Sequence, residues 1–486
     1  EMWERFSYYG MRAVLILFLT ESVAQGGMGL SDGTANALYG AYVGLVYLAA
    51  LPGGWIADRL IGARRSVLYG GIIIALGHYV MAIPANAGIY PGLLLIVVGT
   101  GLLKPNVSTM VGELYPEGGA RRDAGFSIFY MGINLGAFAG QLITGFLGEK
   151  VGWHLGFGAA GVGMFFGLMW FALRSRATLG DIGTAPARHP DPVVQSRQER
   201  TVKLVAGGIV GLVALLFVLG ITGVFIPDAQ LIGRYMAYVL VGLALAFFAF
   251  VFAFGGLDGA EKRRVAVIVV LFLFAAIFWS AFEQAPTSLN LFAKDFTHRQ
   301  IGSFEVPATW FQSINSAFII LLAPFFAALW VGLGRRRGDL SSPAKFALGL
   351  FFAGIGFALM IPAANAVVNS NGALKVSAMW LVGSYFFQTV GELCLSPVGL
   401  SSMTKLSPRK YVGQMMGIWF LASAVGNLIG GLVGGHVDPE KLEVMPGLFT
   451  STTAGLFGAA AILALLVIPI RKMMADVRHD GAHGAH

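Results

Sequence analysis

Apolar stretches of about 20 residues recur along the whole chain and predict helices that cross a membrane, because roughly 20 residues span ~30 Å of hydrocarbon. The segments lie at residues 3–24, 33–57, 66–86, 90–114, 124–148, 153–174, 203–225, 233–254, 264–292, 305–332, 345–364, 375–401, 413–435 and 447–470. The pattern therefore predicts an all-α membrane protein with 14 spans and both termini on one side. Because residue 1 already borders the first span, we expect the natural chain to continue upstream.

Basic residues collect in the loops on one side of the predicted bundle. Most of the 33 Lys and Arg residues fall there, in clusters such as Arg64 with Arg65 and Arg335 through Arg337. Cytoplasmic loops carry the excess of Lys and Arg in membrane proteins. We therefore expect a multi-pass protein of the inner (plasma) membrane with both termini in the cytoplasm.

A polar segment divides the spans into two groups of six. Residues 175–202 are rich in Pro and charge, which predicts a cytoplasmic linker. The two spans within 203–254 have almost no polar residues in their apolar cores, and we expect them to pack against lipid. The remaining spans give six-helix bundles at 1–174 and 262–472, with a cytoplasmic tail at 473–486. Two bundles around a central cavity are typical of transporters.

Composition supports this class and excludes several others. Hydrophobic residues are 56%, mean hydropathy is +0.73 and charged residues are 12%, against about 25% charged in soluble domains. Cys394 is the only cysteine, which excludes an internal disulfide or a cysteine-based metal site. The net charge of +8 is spread over loops, so we expect no nucleic-acid partner. Motifs of hydrolases and nucleotide-binding enzymes are absent, so we expect no enzyme; the oligomeric state is not indicated.

The first predicted span carries charges that lipid does not tolerate. At ~100° per residue, Glu1, Glu4, Arg5, Tyr8 and Arg12 fall within an arc of about 100°. A charge at the bilayer centre costs at least ~2.5–3.5 kcal/mol. This polar stripe must therefore face a protein interior or a water-filled cavity.

Three more charges lie inside later spans and polarise the two bundles. Lys104 belongs to the first bundle, whereas Glu283 and Glu392 belong to the second. The intramembrane charges then sum to +1 in the first bundle and −2 in the second, so one added proton neutralises the set. This polarity favours a ligand with one anionic and one cationic end, and a proton as the coupling ion. The alternative is that the charges only pair to hold helices together.

Several sequence motifs carry a resemblance to a known family. Residues 53–65 are similar to the G-x-x-x-D-R-x-G-R-R loop of the major facilitator superfamily. Glu1 through Gly10 match E-x-x-E-R-F-x-Y-Y-G, the signature of the proton-dependent oligopeptide transporters within that superfamily. Further matches are Gly101–Asn106, Phe129–Gly136, Phe278–Gln284, Gly391–Pro397 and Gly417–Phe420. The resemblance covers essentially the whole chain and implies two six-helix bundles plus two extra helices, as in bacterial members.

The resemblance implies a proton-coupled symporter that imports di- and tripeptides by alternating access, without a bound cofactor or metal. It assigns the peptide carboxylate to Arg5 and Lys104, and the peptide amino group to Glu392 with Asn134 and Asn315. It assigns the other substrate contacts to Tyr8, Tyr9, Arg12, Tyr47, Trp279, Ser396 and Trp419. Proton coupling is implied for Glu1, Glu4, Arg5, Lys104 and Glu283, and a gate for Arg12 with Glu283.

One departure and two alternatives bear on this assignment. Many animal members carry a histidine on the second helix where this chain has Gly40, so proton coupling here must depend on carboxylates. His78 and His154 have no evident partner in the sequence, and we expect them to be structural. A channel is disfavoured by the unequal charges of the two bundles. A family member that transports nitrate or a peptide-like drug stays open, although nitrate has no cationic end for Glu392.

Overall fold

The long apolar segments are helices in the structure. A computed structural model describes residues 1–115, 119–186, 191–224, 228–335, 340–408, 411–433 and 442–473. The helices of the first half are α1 (Met2–Thr20), α2 (Asp32–Ile56), α3 (Ala63–Ala82), α4 (Ile89–Glu113), α5 (Gly119–Phe146), α6 (Trp153–Leu179), α7 (Pro192–Ile221) and α8 (Ala229–Phe254). Those of the second half are α9 (Gly259–Phe282), α10 (Asn290–Phe296), α11 (Trp310–Arg335), α12 (Ser342–Ala358), α13 (Met360–Asn369), α14 (Met379–Leu406), α15 (Val412–Val433) and α16 (Met445–Met473). The predicted tail lies, apart from Met473, outside the described residues.

Each of the predicted spans coincides with a helix, but two of them are interrupted. The span at 264–292 changes from α9 to a π-helical turn at Ala285–Leu289 before α10, and the span at 345–364 is divided between α12 and α13. Pro286 and Pro362 each stand four residues after the last residue of the preceding helix. Proline has no N–H to donate to that residue's carbonyl, and its ring crowds it. The prolines therefore account for both breaks.

The helices differ in how well they suit a lipid environment. Eleven segments of the described ranges are long and apolar enough to cross a membrane, and none of them belongs to α1 or α14. Helix α1 carries Glu4, Arg5 and Arg12, and α14 carries Glu392. Both of these helices thus hold charged candidate site residues.

The chain forms two compact units. Unit 1 comprises the described residues of 1–30 and 45–228, and unit 2 comprises those of 31–44 and from 229 onward. In unit 1, α1 packs against α5 and α6, and α3 packs against α4 and α6. In unit 2, α12 packs against α14 and α16, while α9 packs against α15. The domain boundaries inferred from the sequence stay a prediction.

Much of the segment predicted as a linker is helical and packed on unit 1. Helix α6 continues to Leu179, and α7 already begins at Pro192, where the Asp191 side chain accepts a hydrogen bond from a main-chain N–H. Between them, the Gly180 oxygen accepts a hydrogen bond from Arg64 Nη1 at 2.8 Å. The Gly183 oxygen accepts one from the Arg64 main-chain N–H at 2.9 Å. Because this segment is rich in proline and charged residues, the sequence did not predict these helix ends.

The two extra helices expose most of their apolar side chains. In α7, Leu204 is 68% exposed and Leu215 is 54% exposed, and in α8 Leu245 is 66% exposed. Only 6% of the most apolar 18-residue stretch of α7 is buried inside the protein. Such surfaces are stable in hydrocarbon, as the sequence predicts for helices packed against lipid.

Short strands occur in two loops of unit 2, where the sequence predicts none. Thr297–His298 (β1) pairs in parallel with Val376–Ser377 (β4). Gln300–Ile301 (β2) pairs with Phe304–Glu305 (β3) in an antiparallel hairpin. Gly302 turns this hairpin with a φ of 61°, which favours glycine. With two residues each, these strands leave the fold nearly all-helical.

Glycines of α5 let α1 approach at main-chain distance. A Cβ atom added at Gly136 would lie 2.1 Å from the Met2 oxygen, and one added at Gly140 would lie 2.3 Å from the Phe6 oxygen. Any larger residue must therefore push α1 away. Because α1 carries the charged stripe, α5 fixes the position of that stripe within unit 1.

We expect Gly140→Ala to destabilise the protein by about 1–3 kcal/mol, because the added methyl group overlaps the main chain of α1. Gly132→Ala on the same helix is the matched control, since the nearest atom to its Cβ would be 3.9 Å away. Thermal unfolding of the purified variants in detergent measures both effects. Equal unfolding midpoints for the wild type and Gly140→Ala would contradict the close contact.

Candidate functional site

The charged stripe of α1 is buried within unit 1. Glu4 is 3% exposed, and Arg5 and Arg12 are each 5% exposed. Arg5 Nε donates a hydrogen bond to Glu1 Oε1 at 2.7 Å and lies 2.7 Å from Glu4 Oε2. Two carboxylates therefore share one guanidinium nitrogen. Among the described residues, Glu4 accepts no hydrogen bond, so its contact with Arg5 is one of charge.

Two tyrosines lie beside both arginines of α1. The Arg5 guanidinium lies 5.6 Å from the Tyr8 ring centre and 6.0 Å from the Tyr9 ring centre. The Arg12 guanidinium lies 5.3 and 5.6 Å from the same two rings. Within about 6 Å, an aromatic face attracts a cation. The rings thus hold both cations along one side of the helix.

Helix α4 adds a further cation to this cluster. Lys104 Nζ lies 4.0 Å from the centre of the Tyr47 ring. Its charge also interacts with those of Glu1, Glu4 and Arg5. The structure therefore brings together, in unit 1, the residues that the sequence assigns to proton coupling and carboxylate binding there. We call Glu1, Glu4, Arg5 and Lys104 the α1–α4 charge cluster.

Asn134 differs from these residues because its amide is bound to its own helix. It is 5% exposed, and its Nδ2 donates to the Tyr130 oxygen at 3.0 Å. Tyr130 itself is 38% exposed. The amide nitrogen of Asn134 is thus already used, which leaves its oxygen for other contacts.

In unit 2, an acid and an amide from different helices meet. Asn315 Nδ2 on α11 donates to Glu392 Oε2 on α14 at 3.1 Å and lies 2.9 Å from Thr389 Oγ1. Glu392 is 8% exposed, and its charge interacts with that of Glu283, which is 7% exposed. Sequence reasoning paired Asn315 with Glu392 but missed Thr389. Its position three residues before Glu392, on the same face of the helix, was the available signal.

The predicted tryptophans of unit 2 lie in aromatic surroundings. Trp419 is 5% exposed and packs edge-on against Phe346, with 6.1 Å between ring centres. Trp279 packs edge-on against Phe282 at 5.3 Å. Ser396 is half-buried, one helical turn after Glu392 on α14. The site residues of unit 2 are thus less charged than those of unit 1, with two acids, Glu283 and Glu392.

Both histidines that the sequence leaves without a partner have one in unit 1. His78 Nε2 lies 2.5 Å from Ser7 Oγ on α1, and His154 Nδ1 lies 2.8 Å from the Met81 oxygen. These contacts join helices, as a structural role requires. Within the described residues, no group of three or more His, Cys, Asp or Glu side chains could hold a metal ion.

Comparisons with known proteins agree with the motifs. The sequence profile of the POT family matches residues 64–178 and 232–445. A peptide transporter of Yersinia enterocolitica, YePEPT, is 45% identical over 98% of this chain and 94% of its own length. A di-/tripeptide transporter of Lactococcus lactis subsp. cremoris is 36% identical over 98% of this chain and 95% of its own.

Solved structures agree as well. The crystal structure of a peptide transporter POT in complex with sulfate superposes with a TM-score of 0.87 at 39% identity, and the match covers 97% of this chain and 93% of the other. The fold is therefore that of the major facilitator superfamily, as the sequence predicts. With the family profile, the relatives and the fold in agreement, the chain belongs to the proton-dependent oligopeptide transporter (POT) family.

Proposed function

We propose that the protein is a proton-coupled symporter that imports di- and tripeptides by alternating access. The observation that carries this proposal is the α1–α4 charge cluster, where two buried carboxylates share one guanidinium nitrogen next to a lysine. Intramembrane charges indicate substrate or ion pathways. The names of the Yersinia and Lactococcus relatives support peptides as the substrate class.

Arg5 and Lys104 bind the peptide carboxylate in this proposal. Arg5 uses only Nε for its hydrogen bond within the described residues, so both terminal nitrogens remain for a ligand. Arginine binds a carboxylate through two parallel hydrogen bonds, and Lys104 adds a second positive charge. The carboxylate of a bound peptide would then compete with Glu1 and Glu4 for the same cations.

Glu392 binds the peptide amino group in this proposal. Asn315 Nδ2 holds one carboxylate oxygen at 3.1 Å, which orients the other oxygen. Asn134 would contribute its amide oxygen to the same ammonium. We assign the peptide side chains to the remaining predicted contacts, which are Tyr8, Tyr9, Arg12, Tyr47, Trp279, Ser396 and Trp419.

Glu1 and Glu4 carry the coupling proton together with Arg5, Lys104 and Glu283. A carboxylate that loses its cation to the substrate is left buried without a counter-charge, and such a group favours its neutral form. Peptide binding at Arg5 and Lys104 would therefore promote protonation of the cluster. No cofactor besides the proton is required, and Arg12 with Glu283 would form a gate.

The basic loops support an inner-membrane location with cytoplasmic termini, and the lipid bilayer is the surrounding partner. We assign no enzymatic activity to the chain, because the proposed substrate is moved and not chemically changed.

A transporter of peptide-like drugs is the second candidate, since such compounds also carry both a positive and a negative charge. Nitrate does not explain the buried acid at Glu392.

Uptake of a labelled dipeptide into proteoliposomes tests the proposal. We expect an inward proton gradient to drive accumulation, because one proton neutralises the net −1 of the intramembrane charges. Vesicles at the same membrane potential without a proton gradient are the control. Equal uptake in both preparations would rule out proton coupling, and no uptake in either would rule out the peptide substrate.

A further inference from the structure

Helix α9 ends at one of the two buried acids of unit 2. Its last residue is Phe282, and Glu283 follows as the C-cap with a ψ of 5°, against about −42° in an α-helix. The π-helical turn at Ala285–Leu289 comes next, with Pro286 as its second residue. A few residues at the end of an element absorb the change in φ and ψ when a protein bends. The backbone after Glu283 is therefore a place where α9 and α10 can bend against each other.

A tyrosine of α14 holds this turn through its hydroxyl group. Tyr385 Oη donates a hydrogen bond to the Ala285 main-chain oxygen at 3.3 Å. Both residues are buried, with Tyr385 1% exposed, so water does not compete for either group. Ala285 stands two residues after Glu283 in the chain. The hydroxyl thus ties the backbone next to Glu283 to α14.

The same tyrosine belongs to the face of α14 that carries the second acid. Tyr385, Thr389 and Glu392 are spaced by four and then three residues, so they share one face of the helix. Thr389 Oγ1 donates to the Tyr385 main-chain oxygen at 2.7 Å. Asn315 Nδ2 donates to both Thr389 and Glu392. A continuous chain of hydrogen bonds therefore connects Glu392 to Tyr385.

We propose that Tyr385 is a positioning residue that holds Glu283 at a fixed distance from Glu392. Two ionised acids repel each other by an energy that depends on their separation, and the charge of Glu283 acts on Glu392. A bend after Glu283 would change that separation. This inference rests on the proposed function, in which Glu392 binds the peptide amino group and Glu283 belongs to the gate. Tyr385 then lets the two acids respond to each other during transport.

A pair of matched variants isolates the hydroxyl group. Tyr385→Phe removes the hydroxyl and keeps the buried ring, so the helices should pack as in the wild type. Tyr79→Phe is the control, because Tyr79 Oη also donates to a main-chain oxygen of another helix, that of Gly161, at 3.3 Å. Tyr79 belongs to unit 1, whereas both acids belong to unit 2. A difference between the variants is therefore not the general effect of losing one such bond.

Pulsed electron paramagnetic resonance measures the bend without transport. Spin labels are attached to Leu273→Cys on α9 and Ile301→Cys after α10, two positions that are 54% and 71% exposed. Cys394→Ala removes the native cysteine from this background. We expect Tyr385→Phe to broaden the distribution of label distances about twofold, because the released turn can bend. Tyr79→Phe should keep the original distribution, and an unchanged distribution in Tyr385→Phe would overturn the proposal.

Counterflow of a labelled dipeptide measures the consequence for transport. We expect Tyr385→Phe to lower the maximal rate about tenfold, the factor that corresponds to about 1.4 kcal/mol, and to keep the half-saturating peptide concentration. The gate acid is then misplaced while both peptide ends still bind. A merely structural role would lower the yield of folded protein and not the rate per folded transporter.

Two results in the counterflow assay would overturn the proposal. One is a maximal rate equal to that of Tyr79→Phe, and the other is a weaker peptide affinity at an unchanged rate, which would make Tyr385 a substrate contact. If the wild type exchanges no peptide, the proposed function is wrong. The label distances still decide in that case whether Tyr385 holds the turn, because they are measured without a substrate.

Discussion

Replacing Glu4 with Gln is expected to abolish proton-driven dipeptide uptake and to retain counterflow, in which labelled and unlabelled peptide exchange without net proton transfer. Glu4 lies 2.7 Å from Arg5 Nε without accepting a hydrogen bond among the described residues, so a neutral amide fits in its place. An amide cannot take up a proton at this position. Glu1→Gln is expected to behave alike, because Glu1 shares the same guanidinium nitrogen.

Uptake driven by a proton gradient and counterflow without a gradient are measured in parallel on each variant. Glu113→Gln is the matched control, because this exposed acid at the end of α4 lies outside the charge cluster. We expect it to transport as the wild type does. If counterflow disappeared together with driven uptake in Glu4→Gln, then Glu4 would belong to substrate binding or to folding and not to coupling.

Glu392→Gln is expected to weaken binding of unmodified dipeptides by about 10- to 150-fold and to affect N-acetylated dipeptides far less. The range corresponds to about 1.5–3 kcal/mol for a hydrogen bond to a charged group. Only the unmodified peptide has an ammonium group to lose that bond. Asn315, which donates to Glu392 at 3.1 Å, can still donate to the amide oxygen, so the variant keeps its local structure.

Lys104→Ala is expected to show the opposite pattern. It weakens peptides with a free carboxylate and affects peptides amidated at the carboxyl end least. Competition assays with the unmodified, N-acetylated and amidated forms on both variants measure the two patterns. Glu443→Gln, an exposed acid of unit 2, is the control. Equal losses for all three forms in both variants would mean that the two residues do not recognise opposite ends of the substrate.

Hydropathy predicted most of the fold, and intramembrane charge indicated residues of α1 and α4 that the structure brings together in unit 1. Arg5 lies four residues after Glu1 on one helix, so the ion pair between them was predictable from spacing alone. Contacts between helices distant in sequence were not. The hydrogen bonds from Asn315 to Thr389 and between Ser7 and His78 depend on helix packing, which no local pattern encodes.

The helix breaks, and the helical ends of the predicted linker, were not predicted, for different reasons. Pro286 and Pro362 were visible, but proline is tolerated inside other helices of this chain, such as α2 at Pro52 and α4 at Pro105. Neighbouring helices decide whether a proline bends or ends a helix, so the outcome depends on packing. The segment at 175–202 lacks apolar periodicity, and the hydrogen bonds of Arg64 to Gly180 and Gly183 join residues that are distant in sequence.

The close seam between α1 and α5 constrains how this transporter can change shape. At Gly136 and Gly140 the two helices touch through main-chain atoms, which have no rotamers and cannot yield as side chains do. Sliding or tilting of α1 along α5 would drive Met2 and Phe6 carbonyls into the neighbouring backbone. The two helices should therefore move as one rigid body. The charges of α1 then keep their positions relative to α5 during the transport cycle. Flexibility must reside where side chains alone fill the contact, and variants that speed or slow the cycle should be sought there.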